Sequence, residues 1–327
     1  MNYFSRYFFL LVSFAFPLFF TNCDNSKAIR LLRVGHVLDT NSPVHKAMIF
    51  FGEKLESYSN GSIKLKVYPS SQLGNERENL ELLQLGSLDI AKVSSAVLEN
   101  FVPEMGVFSL PYLFKDSKHL WQCLNGPIGK DLLLKGEKFW LRGLCYYDAG
   151  FRSFFLKNKA VEVPEDLKGL KIRVMRSNLQ IRTINMLGGN ATPLAFSELY
   201  SALQQGVVDG AEGNPPTFYQ KRFYDHCKYL VLDEHSSPPD VLLISTHTWA
   251  KLNAQERVWV EKAIEESVVY QRKLWDQMTL MVYEEVEKSG IKIFKPEKMN
   301  FFKKVQPIYD DLKSTVIGEI AKRIRNI

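Results

Sequence analysis

Only four of the 327 residues are cysteines (Cys23, Cys123, Cys145, Cys227), and no pair has CxxC spacing. The lack of close spacing excludes a thioredoxin-like redox pair and a cysteine zinc cage, and if Cys23 is lipidated the odd number remaining gives no disulfide framework. The six histidines never form HxH or HExxH, so no two imidazoles share a helix face as a metal motif requires. No GxSxG elbow, P-loop or GxGxxG turn is present, which removes the usual supports for a serine nucleophile, a nucleotide phosphate or a dinucleotide. Charge of one sign is scarce as well: 42 basic against 36 acidic residues leave 42 − 36 = +6. The densest basic stretch, Lys168, Lys171, Arg173 and Arg176, is interrupted by apolar residues and reads as strands rather than a nucleic-acid patch. These absences predict a protein without catalysis, cofactor, metal or nucleic-acid partner.

What is present is an ordinary globular composition, 46% hydrophobic and 24% charged, in a chain long enough for two lobes, since single cores stop growing at roughly 250 residues. The N-terminus departs from it. Arg6 precedes an apolar run from Tyr7 to Phe20 that ends at Thr21-Asn22-Cys23. The run is short for a bilayer span but suits an export signal. Residues 1–22 are therefore expected to be a lipoprotein signal peptide and Cys23 the lipidated residue, leaving an exported protein whose membrane contact is its lipid anchor; simple cleavage is the alternative, since Phe20-Thr21-Asn22 is bulkier and more polar than the usual lipoprotein site. The other three cysteines read as small buried hydrophobes.

From Arg30 onward, strand-like and helix-like segments alternate. Leu32–Val37 reads as a strand, Ser42-Pro43 as an N-cap and first helical residue, and Val44, Met48, Phe51 and Leu55 recur at helical spacing. Ile63, Leu65 and Val67 alternate as in a half-exposed strand. Further strands are expected over Leu88–Val93, Phe151–Leu156, Leu170–Met175 and Gly206–Gly210, and helices over Asn178–Leu187 and Phe196–Gln205. This is α/β text with largely parallel sheets. Asn253 to Ser289 contains neither proline nor glycine, the mark of one long helix able to brace both lobes. The expected division is discontinuous: 28–149 plus 239–278 in lobe I, and 150–238 plus 279–327 in lobe II, with the ligand cleft between.

Two arginines occupy apolar strands where arginine is normally avoided: Arg152 in Gly150–Leu156 and Arg173 in Gly169–Met175. A buried guanidinium costs several kcal/mol unless an anion meets it. Its planar fork suits a carboxylate. Either the two clamp one ligand carboxylate beyond the strand ends, or each pairs with an internal acid such as Asp209 or Glu212.

Several stretches carry a family resemblance. They are Val67-Tyr68-Pro69 with Gln72-Leu73-Gly74, Gly86–Ile90, Phe108–Phe114, Glu165–Val174, and Pro193–Gly210 with its Phe196-Ser197-Glu198 turn. From Arg33 to about Ile293 the chain resembles the extracytoplasmic solute receptors of tripartite ATP-independent periplasmic (TRAP) transporters, of the C4-dicarboxylate-receptor type. The resemblance implies a two-lobed, periplasmic-binding-protein-like α/β fold that closes over a small organic acid and presents it to membrane permease subunits. It further implies that Arg173 makes the main salt bridge to the carboxylate, that Arg152 assists and that Phe196 lines the pocket.

One departure stands out. Where many relatives follow "VDGAE" with a ligand-binding asparagine, this chain has Gly213, and the neighbouring Asn214 takes that role only if the loop shifts. A pocket without the amide, walled by Met175, Phe196 and Phe218 among others, is expected to accept a carboxylate with an apolar body. A sensory or accessory lipoprotein serving a helper protein is the rival reading. An enzyme on the same scaffold is disfavoured by the missing nucleophile and metal motifs.

Overall fold

The computed structural model describes residues 29–327, so the expected signal peptide and Cys23 lie outside the described residues. Its strands are β1 (Arg30–Gly35), β2 (Ile63–Tyr68), β3 (Ile90–Ser94), β4 (Leu141–Tyr147), β5 (Arg152–Leu156) and β6 (Lys171–Val174), then β7 (Asn190–Pro193), β8 (Gly210–Gly213), β9 (Tyr229–Ser236), β10 (Asp240–Ser245) and β11 (Lys292–Phe294). They form two sheets, ordered β2-β1-β3-β10-β4 and β11-β9-β5-β8-β6-β7. The chain crosses between the sheets from Tyr147 to Arg152 and back from Ser236 to Asp240.

The expected parallel pairing holds for β1 with β2 and β3, and for β6 with β7 and β8. Both sheets nevertheless contain antiparallel strands. β10 lies antiparallel to β3 and β4, with Asp240 opposite Tyr147. It returns over a short connection from the very end at which β4 left, and such a return needs no crossover helix. The strand expected over Gly206–Gly210 begins only at Gly210. Gly206, at φ +72°, lies in the turn that follows the Leu199–Gln204 helix, and the Asp209 carboxylate accepts the Lys171 amide at 2.8 Å, so the intervening residues form a turn.

The helix Pro43–Tyr58 starts as expected, with the Ser42 hydroxyl accepting the His45 amide and Pro43 in its first turn. The long helix runs Ala254–Lys288, closed at its start by a capping box between Asn253 and Glu256. It buries Val260, Ala263 and Ile264 with the first lobe's core and Val282 and Val286 with the second's. Each of the buried valines and Ile264 contributes roughly 1.5–3 kcal/mol, so the helix braces both lobes. The final helix, Val316–Arg325, packs against the turn Pro103–Ser109. Ile320 and Ile324 are buried there and the Ile324 carbonyl lies 2.9 Å from the His119 ring, so the C-terminal segment crosses toward the first sheet. Cys123, Cys145 and Cys227 are free and buried, and burial raises all three thiols, Cys123 and Cys227 to about 12.

Candidate functional site

The cleft lies between the sheets and encloses about 920 Å³ of space, part of it open to solvent. The lobes meet around it through the Asp39–Lys221 ion pair at 2.7 Å, a Gln220 to Asn41 carbonyl bond at 3.3 Å and an Asn100 to Arg176 carbonyl bond at 2.6 Å. As general α/β topology requires, the lining comes from strand ends and the loops beyond them.

The two arginines meet different fates. Arg152 forms a bidentate pair with Glu212: its Nη2 donates to Oε1 at 2.8 Å and to the Glu212 carbonyl at 2.8 Å, while its Nε donates to Oε2. Burial would raise the Glu212 carboxyl, but Arg152 and His235 hold it well below the ordinary carboxylate range. His235 in turn stacks on Phe154 and has its Nδ1 2.9 Å from Asp233 Oδ2. Burial alone would strip its proton, yet the Asp233 carboxylate, aided by Glu212, pushes its pKa up to about 9. Tyr112 donates its hydroxyl to the same Asp233 oxygen at 3.2 Å. Arg152 is thus the cleft end of a buried chain of alternating charge.

Arg173 on β6 is 2% exposed. Its Nε and Nη2 donate to one backbone carbonyl, that of Leu194, at 3.1 and 2.8 Å. Among the described residues no carboxylate forms an ion pair with it. Burial pulls its pKa down to about 10, against the attraction of Glu212. A buried cation without a counter-ion costs several kcal/mol; here the Nη1 group remains free to meet an anion. The internal-acid alternative raised from the residues therefore applies to Arg152, through Glu212, and not to Arg173.

Met175, Phe196, Gly213 and Asn214 also line the cleft. Asn214 is the N-cap of the helix Pro215–Gln220, its Oδ1 accepting the Thr217 amide at 2.7 Å, while its amide nitrogen makes no hydrogen bond among the described residues. A side chain at Gly213 would place its Cβ 3.0 Å from the Phe155 ring, which explains why glycine stands there: Phe155 occupies the space. Phe218 does not line the cleft. It is fully buried behind Phe155, their ring centroids 5.2 Å apart, because its helix turns that face toward the second lobe's core.

The first-lobe wall escaped sequence reasoning. Asn75, Glu76 and Arg77 at the start of the helix Glu76–Gln84, Lys92 and Ser94 on β3, and Asp240 opening β10 all line the cleft. Lys92 is 3% exposed and lies 3.1 Å from Glu76 and 3.0 Å from Asp240. A signal existed, since Lys92 interrupts an apolar strand as the arginines do. Its partners, however, are remote along the chain.

Comparison with known proteins matches residues 34–315 to the family model of bacterial extracellular solute-binding proteins, family 7. A TRAP periplasmic solute-binding protein from Xanthobacter autotrophicus Py2, solved with bound β-D-galacturonate, is 38% identical with a TM-score of 0.87, covering 90% of this chain and 99% of that one. Another from Citrobacter koseri, solved with bound D-glucuronate, is 33% identical with a TM-score of 0.88, covering 91% and 100%. The C4-dicarboxylate-binding periplasmic protein DctP of Rhodobacter capsulatus is 30% identical over 300 residues, 90% of each chain.

Proposed function

The chain belongs to bacterial extracellular solute-binding protein family 7, the periplasmic receptors that hand small organic acids to TRAP membrane permeases, and on that premise we propose that it captures a sugar acid. It is a receptor and not an enzyme. Arg173 receives the ligand carboxylate, and the Arg152–Glu212 pair holds that wall rigid while Nη atoms of both arginines border the anion. Closure of the lobes removes water and strengthens the ion pair, because a charged contact gains as the local dielectric falls.

The observation that carries this reading is the buried Arg173 guanidinium, bonded only to the Leu194 carbonyl among the described residues. The choice of a sugar acid rests on the mixed lining. Val37, Leu38, Met175, Leu194 and Phe196 form an apolar surface, while Asn75, Glu76, Lys92, Asn214 and Asp240 supply polar groups. The expected carboxylate with an apolar body thus gives way to a polar sugar acid, whose ring C–H face meets the apolar surface. The galacturonate and glucuronate bound by the two similar receptors have this character. Titration calorimetry of the mature protein with D-galacturonate and D-glucuronate tests it: saturable binding of at least one supports the reading, and binding of neither, with tight binding of an alkanoate, overturns it.

Two further assignments belong to the same proposal. The lobes comprise 28–149 plus 239–278 and 150–238 plus 279–327, with the last helix reaching back across the boundary. Cys23 carries a lipid that tethers the receptor to the membrane. Incorporation of a labelled fatty acid, abolished in Cys23→Ser, supports the tether; no label in the wild-type protein refutes it.

A further inference from the structure

The wall opposite Arg173 has its own electrostatic character. Lys92 Nζ is shared between Glu76 Oε1 at 3.1 Å and Asp240 Oδ1 at 3.0 Å, and Glu76 Oε1 also accepts the Ser94 amide at 3.1 Å. Two carboxyl groups therefore face one ammonium, and all three line the cleft. With both acids ionised Glu76, Lys92 and Asp240 together carry one net negative charge, whereas Arg152, Glu212 and Arg173 together carry one net positive charge. Burial, with Glu76 alongside, raises the Asp240 carboxyl. Protonation of Asp240 would make this trio neutral. In neither state does the trio contain a spare cation.

We propose that Glu76, Lys92 and Asp240 form a filter that excludes a second carboxylate, so that the receptor takes sugar monoacids and rejects the corresponding diacids. This rests on the assignment of the ligand carboxylate to Arg173. With that carboxylate in place, a second acid group at the far end of the ligand meets two carboxyls and an ammonium already engaged by both. Like charges brought together in a partly desolvated site repel strongly. A hydroxyl at the same point is accommodated in both directions. It donates to the second oxygen of Glu76 or Asp240, neither of which accepts a hydrogen bond among the described residues, and it accepts from the third hydrogen of Lys92. Arg77 and Arg176 also border the cleft, but each is about half exposed and lies near an acid of its own, Arg77 with Glu81 and Arg176 with Glu198. Solvent-exposed cations so matched offer a second carboxylate little.

The test compares acids that differ only at the far end. The mature protein is titrated calorimetrically with galactonate against galactarate and with gluconate against glucarate, where a terminal CH₂OH is replaced by a carboxylate. At least one aldonate is expected to bind ten-fold or more tightly than its diacid. Asp240→Asn and Glu76→Gln are expected to narrow that ratio by weakening the monoacid and strengthening the diacid, with thermal melting used to verify that each variant is folded. Equal affinity for both members of each pair, abolished for both by Arg173→Ala, would overturn the filter while leaving the carboxylate assignment intact. A ratio unchanged in two folded variants would overturn it equally. Binding of both acids unaffected by Arg173→Ala would overturn the underlying assignment and the filter with it.

Discussion

Replacing Arg173 by alanine separates a ligand-binding cation from a structural one. Its Nε and one Nη2 hydrogen are held by the Leu194 carbonyl, which leaves Nη1 and the second Nη2 hydrogen for an incoming carboxylate. Two charge-assisted hydrogen bonds at roughly 1.5–3 kcal/mol each give about 3–6 kcal/mol, or about two to four decades in Kd at 1.4 kcal/mol per decade. Stability should respond differently. The unliganded protein loses a cation that has no carboxylate partner among the described residues, along with its desolvation cost, so the melting temperature without ligand should change little. The ligand-induced rise in melting temperature should vanish. Titration calorimetry with the best-bound sugar acid and thermal melting with and without it measure both quantities. Arg173→Lys should recover only part of the affinity, because an ammonium keeps the charge but not the planar fork. A folded Arg173→Ala protein whose Kd lies within about threefold of wild type would refute the reasoning.

Arg152→Ala should behave in the opposite way: it leaves Glu212 buried beside a gap, a loss of about 3–5 kcal/mol, seen as a melting point lower by on the order of ten degrees even without ligand. The pH dependence follows from His235, whose pKa is raised from 6.5 to about 9. A raised folded-state pKa contributes stability in full below about 6.5 that is lost as pH climbs toward 9. Denaturant titrations should accordingly show wild-type stability declining over that window by on the order of a few kcal/mol, with the decline flattened in His235→Gln; an unaltered slope would sink the assignment. The Asp39–Lys221 bridge at the cleft mouth is partly exposed, so Lys221→Ala should weaken ligand binding by less than about fivefold, and a hundredfold loss measured by calorimetry would contradict this.

Much of the fold was legible because periodicity and breakers report local structure directly. Asn253 caps and Gly290 (φ +74°) closes a helix that the absence of proline and glycine already outlined. The antiparallel entry of β10 was not legible, since strand direction depends on where the chain re-enters a sheet and not on residue type. Arg173 stood out because a lone guanidinium in an apolar strand demands an explanation. Lys92 raised the same demand, but Asp240 lies 148 residues away and only the fold brings them together. Phe218 illustrates the converse: an aromatic close in sequence to the site sits one layer behind it, because Phe155 fills the space that Gly213 leaves.

The most direct test is a crystal structure of the mature protein with whichever sugar acid stabilises it most. The account predicts the ligand carboxylate on the free edge of the Arg173 guanidinium, within hydrogen-bond distance of Nη1, with hydroxyls toward Glu76, Lys92 and Asp240. A carboxylate seated on Lys92 or Arg77, with Arg173 touching no ligand atom, would contradict it.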